Sequence, residues 1–167
     1  RGIDWQAVAG LSAMKHRFVM ITGGPGTGKT STVVKILILL LEHYKDLRVA
    51  VAAPTGIAAA RLQESIRSIK NQIDCPSSIR DILPTEATTI HSLLEATRYP
   101  FNEDHPLPYD VVVVDEASMI ALPLMAKLVE ALSKQTRLIL LGDVDQLSSV
   151  ESGTVLGQLC DKTAGAF

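Results

Sequence analysis

The stretch that decides the fold reads GGPGTGKT and spans Gly23 to Thr30. It matches the pattern GxxxxGK[ST] in full, and it lies between an apolar run, Arg17 to Thr22, and a long apolar segment, Thr30 to Tyr44. Glycines let the backbone turn tightly, so that successive N–H groups face phosphate oxygens. The positive end of a following helix strengthens that attraction. The stretch therefore predicts a phosphate-binding loop between a buried strand and a helix.

Two side chains of this loop carry the expected chemistry. Lys29 is expected to place its positive charge against the β and γ phosphates of ATP, and the Thr30 hydroxyl to be a ligand of Mg²⁺. The alternative, a glycine-rich turn without function, is disfavoured because the whole pattern is satisfied. The predicted nucleotide-binding residues of this segment are Gly24, Pro25, Gly26, Thr27, Gly28, Lys29, Thr30 and Ser31.

A second motif follows the apolar run Val111 to Val114. Two carboxylates, Asp115 and Glu116, come directly after this predicted strand. Asp115 is expected to hold Mg²⁺, since a hard cation prefers carboxylate and water oxygens. Glu116 is expected to orient or deprotonate the attacking water. By itself an Asp-Glu pair after a strand could equally belong to a solvated loop, and the intact phosphate loop upstream is what favours the functional reading.

The rest of the chain alternates apolar strands with helical segments. Predicted helices span Asp4 to Lys15 (with Asp4 as N-cap), Thr30 to Tyr44, Gly56 to Ile69, Thr89 to Ala96, Leu122 to Ser133 and Thr154 to Asp161. Predicted strands span Arg17 to Thr22, Arg48 to Ala53, Val111 to Val114 and Arg137 to Leu141, and residues 70–88 are expected to form an insertion or loop. This alternation implies an α/β fold with a parallel sheet covered on both faces, which binds ligands at the carboxyl ends of its strands.

Composition limits the class of protein. A length of 167 residues suits one domain, and 47% hydrophobic with 20% charged residues argues against disorder. The net charge of −2 argues against a dedicated DNA-binding module, though not against a local basic groove. Cys75 and Cys160 lie far apart and the four histidines show no metal-ligand spacing, so we expect reduced thiols and a cytoplasmic protein. The apolar run Val33 to Leu41 is too short to cross a bilayer.

Further motifs resemble those of superfamily 1 helicases, in the same order along the chain and from Trp5 to Cys160. They are Ala53 to Gly56 (APTG), Thr89 to His91 (TIH), Asp115 to Met119 (DEASM) and Leu141 to Leu147 (LGDVDQL). The DEASM segment and the pattern GDxDQLxSVExGxVLG, which spans Gly142 to Gly157, are particularly similar to the RecD-like helicases, the family of the alpha subunit of exodeoxyribonuclease V. The resemblance implies a three-layer RecA-like P-loop NTPase fold with a mainly parallel sheet. It also implies an ATP-dependent DNA helicase that acts in recombination and double-strand break repair.

The resemblance assigns two glutamines to the nucleotide. Gln6 corresponds to the glutamine that recognises adenine, although a solvated polar residue on the first helix is an equally good interpretation. Gln146 corresponds to the motif III glutamine that contacts the γ-phosphate and couples the nucleotide to DNA. Asp143 is expected either to support that network or simply to cap the following turn.

The resemblance also implies contacts with single-stranded DNA and with partner subunits. The residues it assigns to DNA are Pro54, Thr55, Gly56, Thr89 and His91. Such residues can contact phosphates and sugars without reading sequence. His91 has an alternative interpretation as a helix-start residue packed against the sheet. The family's alpha subunit works with a beta and a gamma subunit, which are the expected protein partners.

These helicases contain two RecA-like lobes, and the second carries an arginine finger. The motifs above belong to the first lobe, so residues 1–167 are expected to form a single N-terminal ATP-binding lobe of a longer protein, nearly inactive by itself. One alternative is a P-loop nucleotide kinase, for which the sequence shows no basic lid with catalytic arginines. Another is a nucleotide-dependent assembly module without unwinding activity. Stimulation of ATP hydrolysis by single-stranded DNA separates the motor from the kinase.

Overall fold

A parallel sheet occupies the centre of the computed structural model, which describes residues 4–24, 26–44, 46–95 and 100–143. Within those residues the strands are β1 (Phe18–Thr22), β2 (Val49–Ala53), β3 (Thr88–Thr89), β4 (Val111–Val114) and β5 (Arg137–Gly142). They are arranged in the order β1-β5-β4-β2-β3, and every pairing is parallel. Since β5 separates β1 from β4, the two strands that precede the predicted nucleotide motifs are one strand apart.

Helices cover both faces of this sheet. They are α1 (Trp5–Lys15), α2 (Lys29–His43), α3 (Gly56–Gln72), α4 (Ser77–Ile82), α5 (Ile90–Leu94) and α6 (Leu122–Glu130), with a 3₁₀ turn at Ala117–Met119. Along β4, Val111 and Val113 face the core beneath α2 and α3, whereas Val112 and Val114 face the core beneath α5 and α6. Alternate residues of a strand point to opposite faces, so one run of valines serves two cores. The predicted three-layer α/β fold with a parallel sheet is confirmed.

Side-chain caps fix the start of three helices. Asp4 accepts hydrogen bonds from the backbone N–H groups of Gln6 and Ala7, at 3.1 and 3.2 Å, which confirms the predicted N-cap of α1. Thr55 caps α3 and Thr89 caps α5 in the same way. Each cap satisfies a backbone donor that the first turn of a helix leaves without a partner.

The predicted insertion or loop over residues 70–88 contains more regular structure than a loop would. α3 continues to Gln72, α4 follows, and the two residues of β3 add a short strand beside β2. Two residues hold this segment. Leu83 is buried in the core beneath α2 and α3, and the guanidinium of Arg80 donates to the carbonyl oxygen of Ile73 at 3.0 Å. Pro76 is the N-cap of α4, so this proline stands at the start of a helix.

Other predicted boundaries move by a few residues. The predicted helix from Leu122 ends at Glu130 rather than Ser133, and the strand from Arg137 runs one residue further, to Gly142. The predicted helix Thr154 to Asp161 lies outside the described residues. Among the residues that the structure describes, no helix has the length and apolar character needed to cross a membrane.

Candidate nucleotide site

The predicted motifs meet at one edge of the sheet, because parallel strands bring their carboxyl ends together. The phosphate loop follows β1, Asp115 follows β4, and Asp143 follows the intervening strand β5. The N–H of Gly23 donates to the carbonyl oxygen of Gly142 at 3.3 Å, which ties the loop to the end of β5. The N–H of Asp115 donates to the carbonyl oxygen of Ala52 at 3.0 Å, which fixes the end of β4 against β2. The backbone therefore positions both motifs.

The glycines of the loop are required by its geometry. Gly26 and Gly28 have φ angles of 75° and 79°, in the left-handed region that favours glycine. A Cβ atom at Gly23 would lie 2.8 Å from the hydroxyl oxygen of Thr27, which is too close for two such atoms. That hydroxyl donates to the carbonyl oxygen of Gly24 at 2.8 Å and closes the turn. Pro25 lies outside the described residues.

Lys29 begins α2, and its ammonium group lies within the loop. Its Nζ donates to the carbonyl oxygens of Gly23 and Gly24, the latter at 2.8 Å. Gly28 is the N-cap of the helix, and Thr30 and Ser31 follow in the first turn, half-buried. The positive side chain and the helix N-terminus therefore converge on the space that the loop surrounds, an arrangement suited to phosphate.

The two carboxylates after β4 occupy different environments. Burial raises the pKa of Asp115 above its ordinary value, while a hydrogen bond from the backbone N–H of Glu116, at 2.8 Å, and the charge of Lys29 partly oppose this shift. Lys29 is thus close enough to stabilise the charged form of Asp115. Glu116 has a φ of 52°, a left-handed conformation that costs a residue other than glycine about 1–3 kcal/mol. Strain of this kind is concentrated at functional sites.

The donor set at this edge fits Mg²⁺. Mg²⁺ is usually held by one or two carboxylates, by waters and by substrate phosphates, rather than by a cage of protein ligands. The Asp115 carboxylate and the Thr30 hydroxyl supply hard oxygens beside the phosphate loop. Within the described residues no group of three or more His, Cys, Asp and Glu side chains could hold a metal ion.

Gln6 lies beside the phosphate loop although it belongs to α1. Its Nε2 atom is 3.7 Å from the position that a Cβ would occupy at Gly28. Its Oε1 atom accepts a hydrogen bond from Nζ of Lys35 at 2.7 Å. Sequence reasoning missed Lys35, which is an exposed residue of the otherwise largely buried helix α2. The signal that could have found Lys35 is its spacing of seven residues from Gly28, which places both on one face of α2.

The residues predicted to touch DNA lie at the ends of β2 and β3, on the other side of β4 from the phosphate loop. Ala53 and Thr89 are in register in this pair of strands. The hydroxyls of Thr55 and Thr89 accept from the N–H groups of Ala58 and Ser92, at 3.2 and 3.0 Å. Both threonines therefore have a structural role as helix caps. Of the other three predicted residues, Pro54 is half-buried, and Gly56 and His91 are exposed.

Of the two residues predicted near the γ-phosphate, Asp143 and Gln146, the structure describes only Asp143. Asp143 is buried, with 5% of its surface exposed, directly after β5. Gln146 lies outside the described residues. The structure thus brings together the phosphate loop, Asp115, Glu116 and Gln6, and it places the predicted DNA contacts along the same edge of the sheet.

Comparisons with known proteins agree with this arrangement. The sequence model of the AAA_19 family, described as an AAA domain, matches residues 5–152. The RecBCD enzyme subunit RecD of Haemophilus influenzae is 50% identical over 167 residues, which cover 93% of this chain and 26% of that protein. The ATP-dependent RecD2 DNA helicase of Deinococcus radiodurans is 40% identical over 143 residues, covering 84% of this chain and 17% of that protein. The chain is therefore homologous to a segment of RecD proteins, and it spans about a quarter of the length of the RecD subunit.

A solved structure shows the same fold at low sequence identity. The Pif1 helicase from Bacteroides, in complex with ADP-AlF3 and ssDNA, superposes with a TM-score of 0.56 and 20% identity. The match covers 96% of this chain and 36% of the Pif1 chain. This chain therefore shares the fold of the matched part of the Pif1 chain.

Proposed function

Because this chain belongs to the AAA_19 family of AAA domains, we propose that it is the ATP-binding motor lobe of a RecD-like DNA helicase. The observation that carries the proposal is the position of the Lys29 loop and Asp115 at the carboxyl ends of β1 and β4, where the charge of Lys29 lowers the pKa of Asp115 against the effect of burial. The relatives named RecD and RecD2 DNA helicase support a helicase over a nucleotide kinase.

In this proposal each residue of the site has a role toward MgATP. The backbone from Gly24 to Ser31 surrounds the phosphates, and Lys29 neutralises their charge. Thr30 and Asp115 would hold Mg²⁺, which when bound neutralises charge on the phosphate oxygens. Glu116, held in a strained conformation, orients and deprotonates the attacking water. Gln146 senses the γ-phosphate, as the helicase resemblance implies.

The DNA-binding edge is a further part of the proposal. The ends of β2 and β3 present Pro54, Thr55, Gly56, Thr89 and His91 along the same edge of the sheet as the nucleotide loop. Single-stranded DNA bound there would be contacted through backbone amides and small polar side chains, without sequence readout. Movement of elements between the two sites would couple hydrolysis to translocation.

The longer protein that we propose contains a second RecA-like lobe and works in recombination and double-strand break repair. The support for this step is that the chain spans about a quarter of a RecD subunit of the RecBCD enzyme. By the same likeness we propose the beta and gamma subunits of exodeoxyribonuclease V as partners, and the cytoplasm as the place of action.

The first test is nucleotide binding to this chain, measured by titration calorimetry with MgATP and MgADP. Lys29→Ala should weaken binding about 10- to 150-fold, since it removes charge-assisted hydrogen bonds to phosphate. The matched control is Lys134→Ala, because Lys134 is exposed and precedes β5 at the opposite end of the sheet. Equal affinity of the Lys29 variant and the wild type would show that the loop does not bind the nucleotide.

The second test asks whether the full-length protein is a motor. Its ATP hydrolysis should be stimulated by single-stranded DNA, and the stimulation should fall as salt is raised, because DNA binding releases counterions. ATP binding with no response to DNA would contradict the helicase assignment and leave the nucleotide site intact.

A further inference from the structure

Lys35 and Gln6 form a contact between two helices beside the phosphate loop. Lys35 is on α2, and its Nζ donates to Oε1 of Gln6 on α1 at 2.7 Å. Both side chains are exposed, so the contact is not required to complete the core. Its position points to another role, because Gln6 lies against Gly28 of the phosphate loop.

The chemistry of Lys35 determines which way the Gln6 amide faces. An ammonium group is a donor only, so the amide atom that it contacts must be the oxygen. The NH₂ group of Gln6 then faces the other way, where Nε2 lies 3.7 Å from the Cβ position of Gly28. The hydrogen bond from Lys35 therefore presents the amide donor toward the nucleotide loop.

The backbone of Gln6 is already fixed by other contacts. Asp4 accepts from the N–H of Gln6 at the start of α1. Further along the two helices, a Cβ at Gly10 would lie 3.2 Å from Cδ1 of Leu39, so α1 and α2 are in close contact there. What remains free is the rotation of the long Gln6 side chain, whose ordering carries an entropic cost. Lys35 opposes that rotation.

We propose that Lys35 is a positioning residue that holds the Gln6 amide in the orientation in which Nε2 donates to N7 of a bound adenine. This inference rests on the proposed ATP-binding function. The edge of adenine offers N7 as an acceptor and the N6 amine as a donor, a pair that a glutamine amide can match. Oε1 of Gln6 has a second lone pair, so it accepts from Lys35 and from the N6 amine together.

The test compares ATP with 7-deaza-ATP, in which a C–H group replaces N7. Both affinities are measured by calorimetry for the wild-type chain and for Lys35→Ala, Lys35→Arg and Gln6→Ala. The wild type should bind 7-deaza-ATP about 2- to 10-fold more weakly than ATP, the effect of one neutral hydrogen bond. Gln6→Ala supplies the baseline ratio without the amide. The ratio compared is the dissociation constant of 7-deaza-ATP divided by that of ATP. For Lys35→Ala this ratio should fall close to the baseline. Lys35→Arg, which can still donate to Oε1, should restore most of the wild-type ratio.

The ratio separates positioning from the other effects of a lysine. A general attraction of Lys35 for the triphosphate, or an effect on helix packing, changes the two affinities equally and leaves the ratio at its wild-type value. That outcome would overturn the positioning role. A wild-type ratio equal to the Gln6→Ala baseline would also overturn it, while the ATP site would stand. If neither nucleotide binds the wild type, the proposed function fails and this inference fails with it.

Discussion

Two aspartates flank the strand β4, and the pKa values of their carboxyl groups are shifted in opposite directions. Asp110, at the amino end, accepts hydrogen bonds from the guanidinium of Arg48 at 3.2 Å and from its backbone N–H at 2.8 Å, and these bonds hold the pKa of Asp110 below its ordinary value. Asp115, at the carboxyl end, is partly removed from water, and burial raises its pKa. Only four residues, Val111 to Val114, separate them.

The difference shows how one sheet combines stability with function. At the amino end the charge of Asp110 is matched by Arg48, so ionisation of this group favours the folded state. At the carboxyl end the fold retains a carboxylate whose ionisation is unfavourable by itself, beside a glutamate in a strained backbone conformation. Groups with perturbed pKa values and strained backbones are typical of functional sites. Each end of β4 therefore has its own expected response to substitution.

The largest expected effect concerns catalysis at the carboxyl end. In the full-length helicase proposed above, Glu116→Gln should leave MgATP binding nearly intact and slow hydrolysis by about 10²–10⁴, because a positioned base is lost. The measurement is a coupled ATPase assay with saturating single-stranded DNA, together with calorimetry for binding.

Asp110→Asn is the matched control for that experiment, since it removes a carboxylate from the other end of the same strand. Its ATP turnover should equal that of the wild type. Normal hydrolysis with Gln at position 116 would place the base elsewhere, and a large loss in the Asp110 variant would end the functional distinction between the two ends of β4.

A smaller effect concerns stability at the carboxyl end. Asp115→Asn should raise the melting temperature of the chain at pH 7, because it removes an ionised carboxylate from a site where burial dominates. For a domain of this size about 1 kcal/mol corresponds to roughly 2–4 °C, which sets the scale of the expected increase. Thermal unfolding followed by circular dichroism, without nucleotide, measures it.

The pH dependence gives this prediction a sign that can be checked. The pKa of Asp115 is raised on folding, so its favourable contribution is fully present below the ordinary value of 3.8 and is lost as pH rises through the higher folded-state value. The difference between Asp115→Asn and the wild type should therefore shrink as pH falls toward 3.8. A variant that is less stable than the wild type at pH 7 would show that Lys29 and the Glu116 amide outweigh burial at this site.

The same contrast shows what the sequence can predict. The phosphate loop and the Asp115-Glu116 pair follow apolar strands directly, so short-range patterns suffice to locate them. The Thr88–Thr89 strand could not be found in this way, because two residues have no periodicity and its existence depends on pairing with Ala52 and Ala53 of β2. The helix after Pro76 was missed because its stability comes from contacts of Arg80 and Leu83 with the rest of the fold.

The site was predictable to the extent that its residues belong to local motifs. Gln6 was assigned only through the helicase resemblance, since nothing in its own helix points to a ligand. Its partner Lys35 is 29 positions away along the chain, and their contact exists only because α1 and α2 pack together. The role of Gln146 stays a prediction, because it lies outside the described residues.

The smallest expected effect concerns stability at the amino end of β4. Asp110→Asn should lower the melting temperature at pH 7 by roughly 1–3 °C, a modest change because the two side chains of the ion pair are 38% and 62% exposed and solvent screens them. An asparagine also keeps one oxygen that can accept from the N–H of Arg48. Exposed Asp104, changed to Asn, is the control for loss of a charge without this partner.

The pKa of Asp110 is lowered on folding, so its contribution to stability is present above the ordinary value of 3.8 and is lost as pH falls through the lower folded-state value. The Asp110 and Asp115 variants should therefore deviate from the wild type in opposite directions at pH 7, and both deviations should shrink in acid. In about 1 M salt, where the screening length is about 3 Å, only the Asp110 deviation should shrink, because the Asp115 deviation arises from burial. Equal sensitivity of both variants to salt would mean that surface charge, and not burial, governs the carboxyl end as well.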